Sequence, residues 1–203
     1  MKLYDGGRAP NPRRVTVFLK EKGIEVETVP VDMNALGHKA PELTAKNPLQ
    51  RLPVLELDDG TVLCESVAIC RYLEELQPDP PLFGVDARDR AIVEMWNRRA
   101  ELIYFTAVAA AFRHIHPAMV SWEVPQVPEW GEVNKPKAIE FLRFLNEELA
   151  GRPFVAGQRY TIADITAMIA FDFMKPARIT CPEEFTHVWR WYREVASRPS
   201  AAL

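Results

Sequence analysis

The sequence predicts an α+β protein in which a small mixed α/β domain is followed by an all-helical one, and three observations carry that expectation. Strand-like and helix-like segments alternate as far as Leu76; the run Gln77-Pro78-Asp79-Pro80-Pro81 cannot continue a helix; every periodic segment beyond it repeats at helical spacing. The chain has 203 residues, enough for one large or two small domains. Its 48% apolar and 26% charged content is that of a soluble globular protein, and a net charge of −3 offers no basic field to attract nucleic acid. MKLYDGG lacks the apolar run of a secretory leader, and apolar stretches such as Tyr104 to Phe112 are too short to span a bilayer, so a cytoplasmic location away from membranes is expected. Cys64, Cys70 and Cys181 form neither an even set nor a metal-like spacing, which fits a reducing compartment; Cys64 and Cys70 read as packing residues.

Taken in order, Met1 to Tyr4 reads as a first strand and Gly6-Gly7, Pro10 and Pro12 as an irregular loop. A helix follows with Val15, Phe18 and Leu19 as its apolar stripe and Gly23 as its stop. Val26, Val29 and Val31 alternate in a second strand, giving a βαβ unit whose strands should be parallel. A polar stretch with a helical turn around Pro41 to Ala45 leads to Val54, Leu55 and Leu57, a strand that turns at Asp58-Asp59-Gly60 and returns over Thr61 to Cys64. Ile69, Tyr72, Leu73 and Leu76 then recur at helical spacing, with Glu65-Ser66 where a cap belongs. The order βαβ then ββα is a thioredoxin-like layout, about 80 residues long and within the range of one domain.

The second domain should begin near Asp86, giving an organisation of 1–77, a proline-rich linker 78–85, and 86–203. Asp86 to about Phe112 is helical, with Ile92, Met95, Trp96, Leu102 and Ile103 as recurring apolar positions. Pro117 to Trp130, with three prolines and two tryptophans, reads as a loop. Lys137 to Leu149 is amphipathic through Ile139, Leu142 and Leu145. Thr161-Ile162-Ala163-Asp164 is a capping box with Asp in place of Glu or Gln, opening an apolar helix over Ile162 to Phe173 that should lie at the centre of the bundle. A last helix runs from about Glu184 to Ser197.

Chemistry concentrates between Asn47 and Leu76. Pro53 stands at a strand start, where a cis Leu52-Pro53 bond would leave the Leu52 backbone open to an extended peptide. Ser66 and the first N–H groups of the next helix suit a carboxylate, and Glu65 suits an amine. Each feature alone is commonly structural; together they describe a seat for a small zwitterionic peptide.

NPLQRLPVLELDDGTVLCESVAICRYL resembles the glutathione-binding half of cytosolic glutathione S-transferases of bacterial type, whose strand reads N-P-x-x-x-[VIL]-P-V-L and whose next helix opens E-S-x-A-I. Gly157-Gln158-Arg159-Tyr160-Thr161-Ile162-Ala163-Asp164-Ile165 is similar to a structural motif of the same family's helical domain. The resemblance implies glutathione as co-substrate, a homodimer in which the first domain of each subunit meets the helices of the other, and conjugation of glutathione to a small apolar electrophile; no metal is expected, since the His114-x-His116 pair lacks further ligands. It places the cysteinyl backbone of glutathione on Leu52 beside Pro53 and the γ-glutamyl end on Glu65 and Ser66. Arg51 and Lys39 as cations and His38 by hydrogen bond are the expected contacts of the glycine carboxylate, and Gln50 can bond the peptide.

The serine that many such enzymes use to hold the thiolate would fall at Ala9, counting back from Val15, and Ala9 has no donor. Asn11, whose amide can donate, ranks first as its replacement, then Arg8 by charge, then Tyr4 at the end of the first strand; backbone N–H groups at the helix start are an alternative. Tyr104, Phe105, Phe112 and His114, with Trp122 and Trp130 from the loop, are the expected electrophile contacts, His116 standing beside them. Glutathione-dependent disulfide reduction, and a non-catalytic binding module on the same fold, are the rival readings.

Overall fold

A computed structural model describes residues Met1–Ala202. The chain forms two compact units, Met1–Leu82 and Phe83–Ala202, with the break inside the proline-rich stretch.

In the first unit the strands are β1 (Lys2–Asp5), β2 (Glu27–Pro30), β3 (Val54–Glu56) and β4 (Val62–Cys64), in the order β2-β1-β3-β4. β1 and β2 are parallel, and β3 runs antiparallel to both β1 and β4 with Leu3 opposite Leu55 and Leu55 opposite Leu63. This is the mixed sheet of a thioredoxin-like domain. The helices are α1 (Pro10–Lys22), the short α2 (Pro41–Lys46) and α3 (Ser66–Leu76). Gly23 ends α1 in the left-handed region at φ 64°, its N–H closing on Leu19 and Lys20 carbonyls, a conformation that any Cβ would strain. α1 packs on α3, and Leu3, Val15, Phe18, Leu55, Ile69 and Leu73 are fully buried. Each such side chain contributes roughly 1.5–3 kcal/mol of burial.

The linker is tied down. Lys22, at the end of α1, pairs with Glu74 and donates to the carbonyls of Pro78 and Pro80, while Leu82 is buried.

The second unit is helical: α4 (Ala87–Arg99), a π-helical turn over Ala100–Phe105, α5 (Thr106–Ile115), α6 (Pro128–Leu149), α7 (Ile162–Met174) and α8 (Thr186–Ala196). α7 is the centre, with every residue from Ile162 to Phe171 buried, as its sequence predicts. Its capping box forms: Thr161 caps the helix and Asp164 reaches back to the Thr161 N–H at 2.9 Å.

Two expectations for this unit need correcting. The segment from Pro117 to Trp130 is not all loop, since it holds a 3-10 turn at Pro117–Met119 and α6 already begins at Pro128. The helix expected over Lys137 to Leu149 therefore starts earlier and runs through Pro136, which sits on the exposed side where water can serve the freed carbonyl. Packing outweighs that penalty. At Gly131 a Cβ would lie 2.5 Å from the Ile115 side chain, so glycine lets α6 press against α5.

Candidate functional site

The first unit gathers three of its loops' ends from residues that local chemistry fixes. At the start of α1 the positions are Pro10, Asn11 and Pro12, and Arg13 already bonds the Ala9 carbonyl at 3.0 Å. Prolines have no N–H, so the first turn leaves a single open backbone donor, that of Asn11. The expected alternative of several backbone donors is therefore reduced to one. No acidic residue lies in that turn to oppose an anion.

Asn11 is exposed, and its Oδ1 accepts from Arg14 Nη1 at 3.3 Å, which turns its NH₂ outward. Arg8 is exposed and makes no side-chain bond among the described residues. The Tyr4 hydroxyl donates to Glu56 Oε2 at 2.8 Å, while Lys46 Nζ pairs with Glu56 Oε1 at 2.7 Å. That bond to Glu56, and then burial, push the Tyr4 phenol above its ordinary value. A phenol held this way is a poorer donor to a second anion.

At the entrance to β3, the buried Asn47 gives its NH₂ to the Arg51 carbonyl at 2.9 Å and takes the Leu49 N–H at 3.2 Å. Gln50 is held at φ 53°, and its side chain donates to Thr44 at 3.2 Å rather than standing free for a ligand. The Leu52–Pro53 bond is cis. Neither backbone group of Leu52 has a partner among the described residues, although the side chain is buried.

Glu65 lies at φ 67°, ψ 112°, a sparsely populated region for a residue with a Cβ, and α3 begins on it. Ser66 is thus the first helical residue and not the cap that the sequence suggests. It is 5% exposed, and its hydroxyl accepts from Arg14 Nη1 at 2.7 Å.

Lys39 and Arg51 are exposed cations before β3. His38, expected beside them, is instead 1% exposed; burial, with the charges of Lys39 and Arg51, keeps its imidazole below the usual value. It is a core histidine. The thiols are not set up as nucleophiles: burial pushes Cys64 and Cys70 up, and Cys181 up to about 12.

In the second unit Tyr104, expected to face an electrophile, is fully buried, its hydroxyl 2.8 Å from Met174 Sδ and its ring stacked on Phe141. It belongs to the core because it continues the buried face of Val93, Asn97 and Ala100 at helical spacing. Phe105 and Phe112 do form a half-buried aromatic wall. The ring centroid of Phe173 lies 6.3 Å from Phe105 and 4.7 Å from Phe112, and His116 stacks on Phe112 at 4.7 Å. Sequence reasoning missed Phe173 because an apolar residue late in a buried helix carries no sign of facing outward.

His114 is occupied otherwise. Its Nδ1 accepts the Val127 N–H at 3.1 Å, and Arg113 pairs with Glu123 at 2.6 Å, so the two residues hold the loop after α5. Trp122 is half-buried in that loop and Trp130 is exposed at the start of α6. A separate open cavity of about 640 Å³ is lined by Leu102, Ile103, Phe141 and Phe144 with Lys137 and Glu140 at its side. None of the expected electrophile contacts lines it. Among the described residues no cluster of three or more His, Cys, Asp or Glu is arranged to hold a metal, and no helix is long and apolar enough to cross a membrane.

Comparison with known proteins gives a consistent result. Residues 1–75 match the family model described as glutathione S-transferase, N-terminal domain, and residues 105–199 match that of the C-terminal domain. Glutathione S-transferase 2 of Saccharomyces cerevisiae is 36% identical, over 98% of this chain and 87% of its own. A crystal structure of a glutathione S-transferase domain-containing protein from Marinobacter aquaeolei superposes with a TM-score of 0.92 at 40% identity, covering 100% of both chains. The crystal structure of Gtt2 from Saccharomyces cerevisiae superposes with a TM-score of 0.93 at 35% identity, over 99% and 98% of the two chains.

Proposed function

The chain belongs to the glutathione S-transferase family, and from that premise we propose that it conjugates the glutathione thiolate to a small apolar electrophile. The observation that carries the reading is the open backbone of Leu52 beside Pro53, in the unit that also presents Glu65 and Ser66. The cysteinyl residue of glutathione pairs with Leu52 as an added strand, and its γ-glutamyl carboxylate takes the Ser66 hydroxyl and the open N–H groups of α3. Glu65 meets the amine, and Lys39 and Arg51 meet the glycine carboxylate.

The sulfur must be ionised to attack. A free thiol has a pKa of roughly 8.5, and lowering it by about 2 units requires a few kcal/mol. The Asn11 amide and its N–H supply that at the positive end of α1, where Tyr4 is engaged by Glu56 and Arg8 points to solvent. Phe105, Phe112 and Phe173 hold the apolar electrophile. Conjugation of such compounds is the chemistry of detoxification, and the three free thiols suit the cytoplasm.

The test is retention on immobilised glutathione together with turnover of an aryl halide. Turnover confined to a glutathione-mixed disulfide would replace conjugation by disulfide reduction, and failure to be retained would favour a binding module. Asn11→Ala should lower kcat/KM for the aryl halide by about 10²-fold, the usual cost of one anion-stabilising donor. An unchanged value would take Asn11 out of the mechanism.

The protein acts as a homodimer. Leu49 on the first unit is 70% exposed, and Leu102 and Ile103, each 55% exposed, border the cavity of the helical unit. Apolar surface of this kind is what a partner subunit covers. Ile103→Glu is expected to leave the fold intact and convert a sedimenting dimer to monomer; a variant that stays dimeric would place the interface elsewhere.

A further inference from the structure

We propose that Arg14 is the positioning residue of the glutathione seat, one buried guanidinium that sets Ser66 as donor to the γ-glutamyl carboxylate and Asn11 as donor to the sulfur. This rests on the glutathione reading above and deepens it. Arg14 is 1% exposed, and the same nitrogen, Nη1, lies 2.7 Å from Ser66 Oγ and 3.3 Å from Asn11 Oδ1. Asn11 and Arg14 are three apart on α1, so they share a side of the helix, whereas Ser66 comes from α3.

The direction of these bonds does the positioning. A guanidinium has donors and no acceptor, so each oxygen facing it must accept. Ser66 Oγ accepts from Arg14, and its own hydrogen turns away toward a ligand oxygen. An asparagine bonded through Oδ1 cannot flip without setting N–H against N–H, so its NH₂ stays outward. Two groups that could each donate or accept are thereby both fixed as donors, which the carboxylate and the thiolate of one peptide require. The positive charge, shielded from water by burial, favours both anions further. A merely structural tie between α1 and α3 would need no such polarity.

The experiment uses Arg14→Met, similar in length, and Arg14→Lys, with cooperative thermal unfolding as the check of fold. It reads the ultraviolet absorbance of the bound thiolate against pH, and the glutathione KM apart from kcat. In Arg14→Met the bound thiol should titrate about one unit higher than in wild type, and the glutathione KM should rise about tenfold. Adding Asn11→Ala to Arg14→Met should move the thiol no further, although Asn11→Ala in the wild-type background does. Should Arg14→Met not fold, Arg14→Lys carries the same test, because an ammonium cannot hold both oxygens in the guanidinium geometry.

A folded variant with wild-type thiol titration and KM would overturn the inference, as would thiol shifts from Arg14→Met and Asn11→Ala that simply add. Wild-type protein that binds glutathione and lowers its thiol pKa while the Arg14 variants do the same leaves conjugation standing and removes Arg14. Wild-type protein that binds no glutathione removes the seat itself.

Discussion

Asp164→Ala is expected to cost the fold about 3–5 kcal/mol, the range for removing one side of a buried charged network. Asp164 is fully buried. Its Oδ1 accepts the Val155 N–H at 2.8 Å and Trp191 Nε1 at 2.9 Å; its Oδ2 accepts the Thr161 N–H at 2.9 Å and lies 3.1 Å from the Thr161 hydroxyl. Alanine leaves these donors in an apolar interior, each unmade bond costing about 1–3 kcal/mol. The same change removes half of the capping box that starts α7. Urea unfolding at pH 7 measures it, and a loss below 1 kcal/mol would mean that water replaces the carboxylate.

The pH dependence of that cost has a definite sign. Burial pushes the Asp164 carboxyl up to about 6 from 3.8, against the pull of its donors. The folded state therefore holds a proton that the unfolded chain releases between those values. The resulting stabilisation is full below 3.8 and is lost as pH rises through about 6, an effect of about 3 kcal/mol. The stability gap between wild type and Asp164→Asn should accordingly be wider at pH 5 than at pH 7. A gap that does not widen on acidification would show the carboxylate ionised throughout.

Lys22→Met is the second large expected loss, again about 3–5 kcal/mol. The Lys22 side chain is 0% exposed and Glu74 10%, so removing the cation leaves a carboxylate in the interior and frees the carbonyls of Pro78 and Pro80. The paired change Lys22→Met with Glu74→Leu should recover the part of the loss due to the stranded carboxylate, leaving only the cost of the two freed carbonyls. Denaturant midpoints of the three variants decide it. A single-variant loss under about 1 kcal/mol, as for a surface pair, would mean that solvent reaches Lys22.

Much of the fold is legible in the sequence because the signals are local. Gly23, the Asp58-Asp59-Gly60 turn and the Thr161 to Asp164 box each specify their own backbone. What escaped depends on partners far away in sequence. Pro136 reads as a helix breaker until Gly131 is seen against Ile115, and Ser66 reads as a cap until the Arg14 guanidinium, 52 residues earlier, is found on its hydroxyl. Aromatic side chains on the long helix were recognisable as a group, but only packing separates the fully buried Tyr104 from the half-buried Phe105 and Phe112.

Glu65, at φ 67° and ψ 112°, has a consequence for how far this protein can be stabilised. Backbone of that kind costs of order 1–3 kcal/mol in any residue but glycine. A search for tougher variants would therefore be drawn to glycine at position 65, and under the proposed chemistry it would discard the carboxylate that greets the incoming amine. On that reading durability and recognition pull against each other at one residue, and glycine at position 65 would gain the first only by giving up the second.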